Sequence, residues 1–378
     1  MASAIQDIKD NVHEHSQAKL DFYKNYLIKY LMILLSNPYT NEINIYDVFC
    51  GIGIYEDGNH GSPIIEIKII KDLLQKFPQK NINLIINDID KSKVDFVSKH
   101  IDENYKNICK LNSHNLDATE MLKIVNQSVC KSKKGTKNLV FIDPYGYKEI
   151  YKNDILKIMD SKKSEIIIFL PIAQMYRFSN AALTDEENNS YRHLRRFIQD
   201  FFDVTHPIHD ENLDNQFQYI DYIKEAFSFD NKYYSASYRI QRDSRNYYSL
   251  FFITNHIYGL DRIIDTKWKL DINCGEGFKK TKTEHLFTNM FEETDKENCL
   301  EKLENKLKDY LVEYRTNNEI YEFTLKTGFL PKQTSEILKN LKNKNILKFN
   351  DDSKGNYFYI GWKYYKSSDI KYEVKIIE

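Results

Sequence analysis

The sequence predicts a Rossmann-like α/β fold with a helical insertion, followed by a C-terminal winged helix-turn-helix. Three observations predict it. Apolar strand-like runs alternate with helical patterns over the first half of the chain, the signature of a parallel sheet. The runs are continuous rather than alternating, as in strands covered on both faces. The last eighty or so residues read helix, helix, turn, helix, then strand, turn, strand.

The elements follow in order. Apolar residues at helical spacing over Lys19–Leu35 predict a helix. "NEINIYDVFCG" is a buried strand. "SPIIEIKIIKDLLQKF" is a helix, with Ser62 as N-cap and Pro63 at the first helical position. "NINLIINDID" is a second strand, "KSKVDFVSKHIDENY" a helix, "KNICKLNSHNLDA" a short strand and loop, and "ATEMLKIVNQS" a helix. "KNLVFIDPYGY" is a fourth strand, "EIYKNDILKIMD" a helix and "SEIIIFLPIAQ" a fifth strand. The pattern is then helical and irregular over 173–230, too long for an ordinary connection and suited to a cap. "KYYSASYRIQ" and "YYSLFFITN" form a hairpin across "RDSRN", and "YGLDRIIDTKWKLD" is a helix. We expect an α/β domain over 1–275, a linker over 276–297 and the winged helix over 298–378, its wing built from "ILKFNDDSKGNYFYIGW".

The totals exclude several classes. Net charge is −1, so contact with nucleic acid or membrane must come from a local patch. No apolar window is long enough to span a membrane, and the first residues are polar, so a soluble cytoplasmic protein is expected. Five scattered cysteines without a CxxC pair argue against a disulfide framework and a cysteine zinc site. The histidines show no HExxH spacing, the His13 and His15 pair lies on a polar helix end, and no metal is expected.

Chemistry concentrates at the strand ends. Four of the twelve glycines (Gly51, Gly53, Gly58, Gly61) fall in "IYDVFCGIGIYEDGNHGSP". In doubly wound sheets ligands bind beyond the carboxyl ends of strands, where glycine lets backbone approach them. Position 56 is Glu and the helix begins late, so this is not a GxGxxG pyrophosphate turn. Asp88 and Asp90 end the second strand. An ionised carboxylate there accepts both hydroxyls of a ribose, and Asp88 is preferred, with Asp90 read as a helix cap. Asp117 either takes an adenine amino proton or caps the next helix. "FIDPYGY" delivers Asp143, Pro144, Tyr145 and Gly146 at the fourth strand end, where Asp143 and Tyr145 can orient a target group.

The "hhDhFxGxG" form resembles motif I of class I S-adenosylmethionine (SAM) methyltransferases. The DPYG turn resembles the Asp-Pro-Phe-Gly of tRNA guanine-N2 dimethyltransferases. Together with "YLIKYLMILL", "VFIDPYGY" and "YYSLFFITNHIYGLDRIIDTKW", these motifs resemble the three-Cys-motif partner proteins of bacteria over most of residues 19–270. The resemblance implies a class I methyltransferase sheet and SAM as cofactor. It implies that Asp47, Phe49, Cys50, Gly51, Gly53, Ser62, Asp88 and Asp117 hold that cofactor. It implies amino-group chemistry at Asp143, Pro144, Tyr145 and Gly146, and a three-cysteine, radical-SAM-like partner. Cys50 departs from the alanine common at its place and would press on the cofactor.

For substrate, Tyr55, Gln174, Tyr176 and Arg177 lie near the expected pocket, and Arg192, Arg195 and Arg196 on a following helix, either meeting nucleic acid or forming a solvated face. Between Phe323 and Lys366 nine lysines face three acids. Lys332, Lys339, Lys342 and Lys344 line the presumed recognition helix and Lys354 the wing, a patch that gives salt-sensitive phosphate contact. Arginine is absent there, so positioning is expected more than sequence reading, and winged helices also bind protein. The expected function is N-methylation of a nucleic-acid base. The alternatives are a peptide target delivered by a partner, or a non-enzymatic DNA-binding or defence component that senses a nucleotide.

Overall fold

The computed structural model describes residues 13–209, 213, 215–243, 245–279, 288–350 and 357–377. Helix α1 (Glu14–Ser36) precedes a sheet built from β1 (Glu42–Asp47), β2 (Asn81–Asn87), β3 (Lys110–His114), β4 (Thr136–Ile142) and β5 (Ser164–Leu170). Helices α2 (Ser62–Leu74), α3 (Lys91–Asn104), α4 (Ala118–Lys131) and α5 (Lys152–Asp160) connect these strands. The insertion carries α6 (Ile172–Thr184), α7 (Arg192–Phe201) and α8 (Gln216–Ala226). Strands β6 (Tyr234–Gln241) and β7 (Tyr247–Thr254) then form the expected hairpin, followed by α9 (Ile257–Leu270) and the two-residue β8 (Gly277–Phe278).

The strand order is β3-β2-β1-β4-β5-β7-β6-β8. The first five strands are mutually parallel, and β7 enters antiparallel to β5. Side chains alternate between two covered faces, which is why these strands read as continuous apolar runs. Tyr46, Val48, Val140, Ile142, Ile166 and Ile168 pack into one core with α4, α5 and the insertion. On the other face α1 lays Phe22 against Tyr238 and Phe252, at ring separations of 4.5 and 4.8 Å. Tyr23 stacks on Phe141 at 4.1 Å. Fully burying each such side chain stabilises the fold by about 1.5–3 kcal/mol, so α1 is an integral part of this layer.

The described chain forms two compact units, residues 1–255 with 278–280, and residues 256–277 with 281–378. The sequence placed the domain boundary after residue 275, but α9 packs into the second unit. Its Asp261 accepts the Tyr321 hydroxyl, and Trp268 donates to the Gly328 carbonyl at 2.9 Å. A disulfide joins Cys274 to Cys299, a pairing that the odd, scattered cysteine count concealed. Much of the expected linker is helical, because α10 spans Thr288–Tyr310.

The second unit continues with β9 (Arg315–Thr316), α11 (Asn317–Lys326), α12 (Pro331–Asn343), β10 (Leu347–Phe349), α13 (Trp362–Lys366) and β11 (Glu373–Ile376). The three strands order as β10-β11-β9. The strand pairing with β10 is therefore Glu373–Ile376, not the expected "YFYIGW" run. That run is diverted because Trp362 stacks on Tyr258 at 4.9 Å and starts α13.

Candidate active site

The tips of β1, β2 and β4 lie level. Asp47 pairs in register with Ile86 on one side and Phe141 on the other. Successive strands wind outward in opposite directions from β1 and β4, so the gap between them is the topological switch point, where open α/β sheets bind ligands.

The glycine-rich turn is built around this gap. The Cys50 N–H donates to the Asn87 carbonyl at 2.8 Å, and the Gly51 N–H donates to Asp88 at 3.1 Å. Gly53 is required twice over. Its φ is +74°, and a Cβ there would meet Val97 Cγ2 at 2.7 Å. Residues 54–60 loop out, and the Gly61 N–H returns to the Gly53 carbonyl at 2.7 Å before α2 begins. That excursion is why the helix starts late. Ser62 is not the cap of α2, since Gly61 holds that position. Its hydroxyl instead donates to Asp47 at 2.6 Å.

Below the turn lies a buried acidic pair that sequence reading missed in part. Asp47 and Glu66 are both fully buried. Glu66 accepts the Tyr23 hydroxyl, and one oxygen of each carboxylate, Asp47 Oδ1 and Glu66 Oε2, has no hydrogen-bond partner among the described residues. Burial pushes Asp47 up to about 7, against the Ser62 hydrogen bond that lowers it and with the charges of Asp143 and Asp88 adding to the rise. Burial, then the Asp47 charge, likewise holds Glu66 well above the usual carboxylate range. Asn87, also unforeseen, ties three strand ends together. It donates to the Val48 and Leu116 carbonyls, each at 3.1 Å, and accepts from the Leu116 N–H at 3.0 Å.

Above the turn a cavity of about 370 Å³ opens, within the usual range for ligand pockets. Of the expected cofactor residues, Phe49, Cys50, Gly51, Ser62 and Asp88 line it. Asp47 sits behind Ser62, and Gly53 supports the turn from below. Burial raises the Cys50 thiol, so it is a neutral wall rather than a nucleophile. Asp143, Pro144 and Tyr145 line the cavity, as do Tyr55 and Gln174. Tyr145 is exposed, and the Lys93 ammonium lies 5.9 Å from its ring centre.

Four expected residues lie elsewhere. Asp117 is an exposed cap of α4, accepting from the Thr119 N–H at 2.9 Å, and does not line the cavity. Gly146 falls just past the lining. Tyr176 turns into the insertion, donating to the Leu213 carbonyl at 3.0 Å, and Arg177 reaches Asn246 at 3.3 Å. Two arginines of α7 are structural, while Arg192 is exposed. Arg195 donates to the Ala182 and Asp185 carbonyls. Arg196 donates to the Lys148 and Ile150 carbonyls, and its guanidinium stacks 3.7 Å from the Tyr151 ring.

The largest omission from the sequence reading is Lys19. Its ammonium ion-pairs with Asp143 and lies 4.8 Å from the centre of the Phe169 ring. Burial alone would lower it, but the charge and hydrogen bond of Asp143, with Tyr55 and Asp47 adding to them, make the net shift upward. Lys19 is therefore a fixed cation that holds the Asp143 carboxylate in place.

In the second unit, Lys332 and Lys339 are exposed on α12, as expected of a recognition helix. Lys342 is half-buried, with its ammonium 5.2 Å from the Phe349 ring centre. Lys354 lies outside the described residues.

The family model of a GMT-like wHTH domain matches residues 277–354. No curated protein matches the chain by sequence. Solved structures to which the chain shows similarity include an O-methyltransferase from Bacillus cereus in complex with SAH. It is 10% identical, with 61% of this chain and 80% of that one covered, and the TM-score is 0.32. The O-methyltransferase TomG from Streptomyces achromogenes in complex with SAM is 13% identical, with coverages of 61% and 79% and a TM-score of 0.31. The magnesium protoporphyrin IX methyltransferase ChlM from Synechocystis with bound SAH is 10% identical, with coverages of 65% and 89% and a TM-score of 0.28.

Proposed function

We propose that this chain is a SAM-dependent methyltransferase that acts on the amino group of a base in nucleic acid. One observation carries the reading: Asp88 and Asp143, from two strand tips, line one cavity at the switch point of the sheet, and Asp47 from a third tip backs its Ser62 wall.

The residues present fit the cofactor. Asp88 is an acceptor for the ribose hydroxyls at the cavity wall, and Ser62 sits at the methionine end, backed by Asp47 and its unpartnered oxygen. When bound, SAM supplies an electrophilic methyl group. The protein's own part is orientation and exclusion of water. Asp143 gives one oxygen to Lys19, leaving the other to accept from the target N–H. That hydrogen bond fixes the nitrogen, stabilises the positive charge that develops on it, and lets the Asp143 carboxylate take the proton displaced when the nitrogen gains a methyl group. The exposed ring of Tyr145 offers a stacking face beside it. Exposed lysines of α12 hold the substrate backbone by phosphate contact.

Titration calorimetry with SAM and with its demethylated product tests the cofactor. Labelled-methyl transfer to tRNA, DNA and lysate protein tests the target. We expect heat with both ligands and label in nucleic acid. Absence of heat removes the enzyme reading, and label confined to protein removes the nucleic-acid target.

A further inference from the structure

One wall of the cavity is a ladder of parallel rings. His13 and His15 stack at 5.3 Å with 13° between planes. His15 stacks on Tyr248 at 5.5 Å and 6°, and Tyr248 on Phe169 at 5.0 Å and 17°. All four line the cavity. The ladder runs from exposed His13 to buried Phe169, whose ring also carries the Lys19 ammonium. Some other parallel pairs, such as Tyr23 with Phe141, are isolated, and in the core under the insertion rings pack edge to face, as with Phe201 against Phe227 at 90° and Phe227 against Phe251 at 72°. Edge-to-face packing fills a core from several directions. A run of parallel faces at a cavity mouth suits another flat ring added parallel to them. Beside it Arg242 donates to the Tyr248 hydroxyl at 3.1 Å, which sets a guanidinium at the cavity edge.

We propose that this ladder is a stacking subsite for the base next to the target in a single-stranded nucleic acid. The neighbouring base continues the stack on His13 and His15, the backbone passes Arg242, and the target base enters beside Tyr145 and Asp143. A base inside a duplex already has both faces stacked, so the subsite selects unpaired strands. The proposal rests on the nucleic-acid reading of the cavity and adds the form of the substrate and the residues that grip it.

The test uses the full chain and two labelled probes, oligothymidylate of about eight units and an abasic phosphodiester of the same length. Anisotropy titrations give both affinities. We expect the base-bearing strand to bind roughly 10-fold tighter. The double variant His13→Ala, His15→Ala is expected to remove that preference while leaving abasic affinity within about twofold, since phosphate contacts persist. Tyr248→Ala should do the same, and Tyr248→Phe, which keeps the ring, should retain the preference. The histidine pair lies at the N-terminal end of α1, His13 as its cap, and keeps the test open if Tyr248→Ala fails to fold. A wild type without the preference, or variants that keep it, overturns the proposal. So does a basic decapeptide that binds more tightly than the strand and is lost in the histidine variant. Calorimetry with the demethylated cofactor on the same samples separates the failures. Heat without base preference removes only the ladder, and base preference without heat removes only the methyltransferase reading.

Discussion

The cavity at the strand tips and the outer face of α12 both gather charged side chains, and they hold them in different ways. In and beneath the cavity, buried charges are held by specific partners, some across a long stretch of sequence. Lys19 meets Asp143 from 124 positions away, and Tyr23 meets Glu66 from 43 positions away. On α12, Lys332 has side-chain exposure of 85% and only a distant Glu336 at 4.0 Å. Buried charge has to be paired to be tolerated, and its pairing fixes geometry. Exposed charge is screened and worth little singly, so it acts through number and placement. The first arrangement suits bond-making, and the second suits holding a polyanion.

Substitutions can break that contrast, and the largest effect is expected at Asp143. Asp143→Ala should lower methyl transfer by roughly 10²-fold or more, the scale of losing orientation at the reacting atom, with SAM affinity unchanged within a few fold. Single-turnover transfer and calorimetry check this, and equal loss of both would move Asp143 to cofactor binding. Next comes Tyr23→Phe, which strips Glu66 of its hydroxyl donor. We expect a loss of about 1–3 kcal/mol in urea unfolding, the cost of an unsatisfied buried acceptor.

A pH series on stability sharpens the same point. Asp47 in the folded chain sits at about 7, above the ordinary value of 3.8. Between those values the folded state holds a proton that the unfolded state has released. Stability from this group is therefore greatest at low pH and falls as pH rises from about 4 to about 7. Asp47→Asn should flatten that part of the profile. The smallest effects are expected on α12. Lys332→Ala or Lys339→Ala should leave unfolding within about 0.5 kcal/mol of wild type. Each should reduce the salt slope of nucleic-acid binding by about one. A large stability loss there would mean that the helix charges are structural.

The sequence carried much of this fold because the central strands are apolar on both faces and end in Asp, Gly or Pro. Asp47, Asp88 and Asp143 were legible for that reason, each lying at or just past a run whose end is unambiguous. Lys19 was not, because nothing local marks one lysine of an amphipathic helix as the partner of a carboxylate on a distant strand tip. Asn87 was hidden by its position inside a strand run, and the second wing strand by an aromatic run with stronger β-propensity than the segment that pairs. The role of Ser62 changed because a buried carboxylate is a stronger claim on a hydroxyl than an exposed helix end.

The ion pair of Lys19 also bears on how the protein is handled at the bench. A variant trimmed past residue 20 would lose only the first turns of α1, yet it would strip the cavity of the lysine bound to Asp143. Such material would look well folded and stay silent in every transfer assay, and its silence would say nothing about the intact chain.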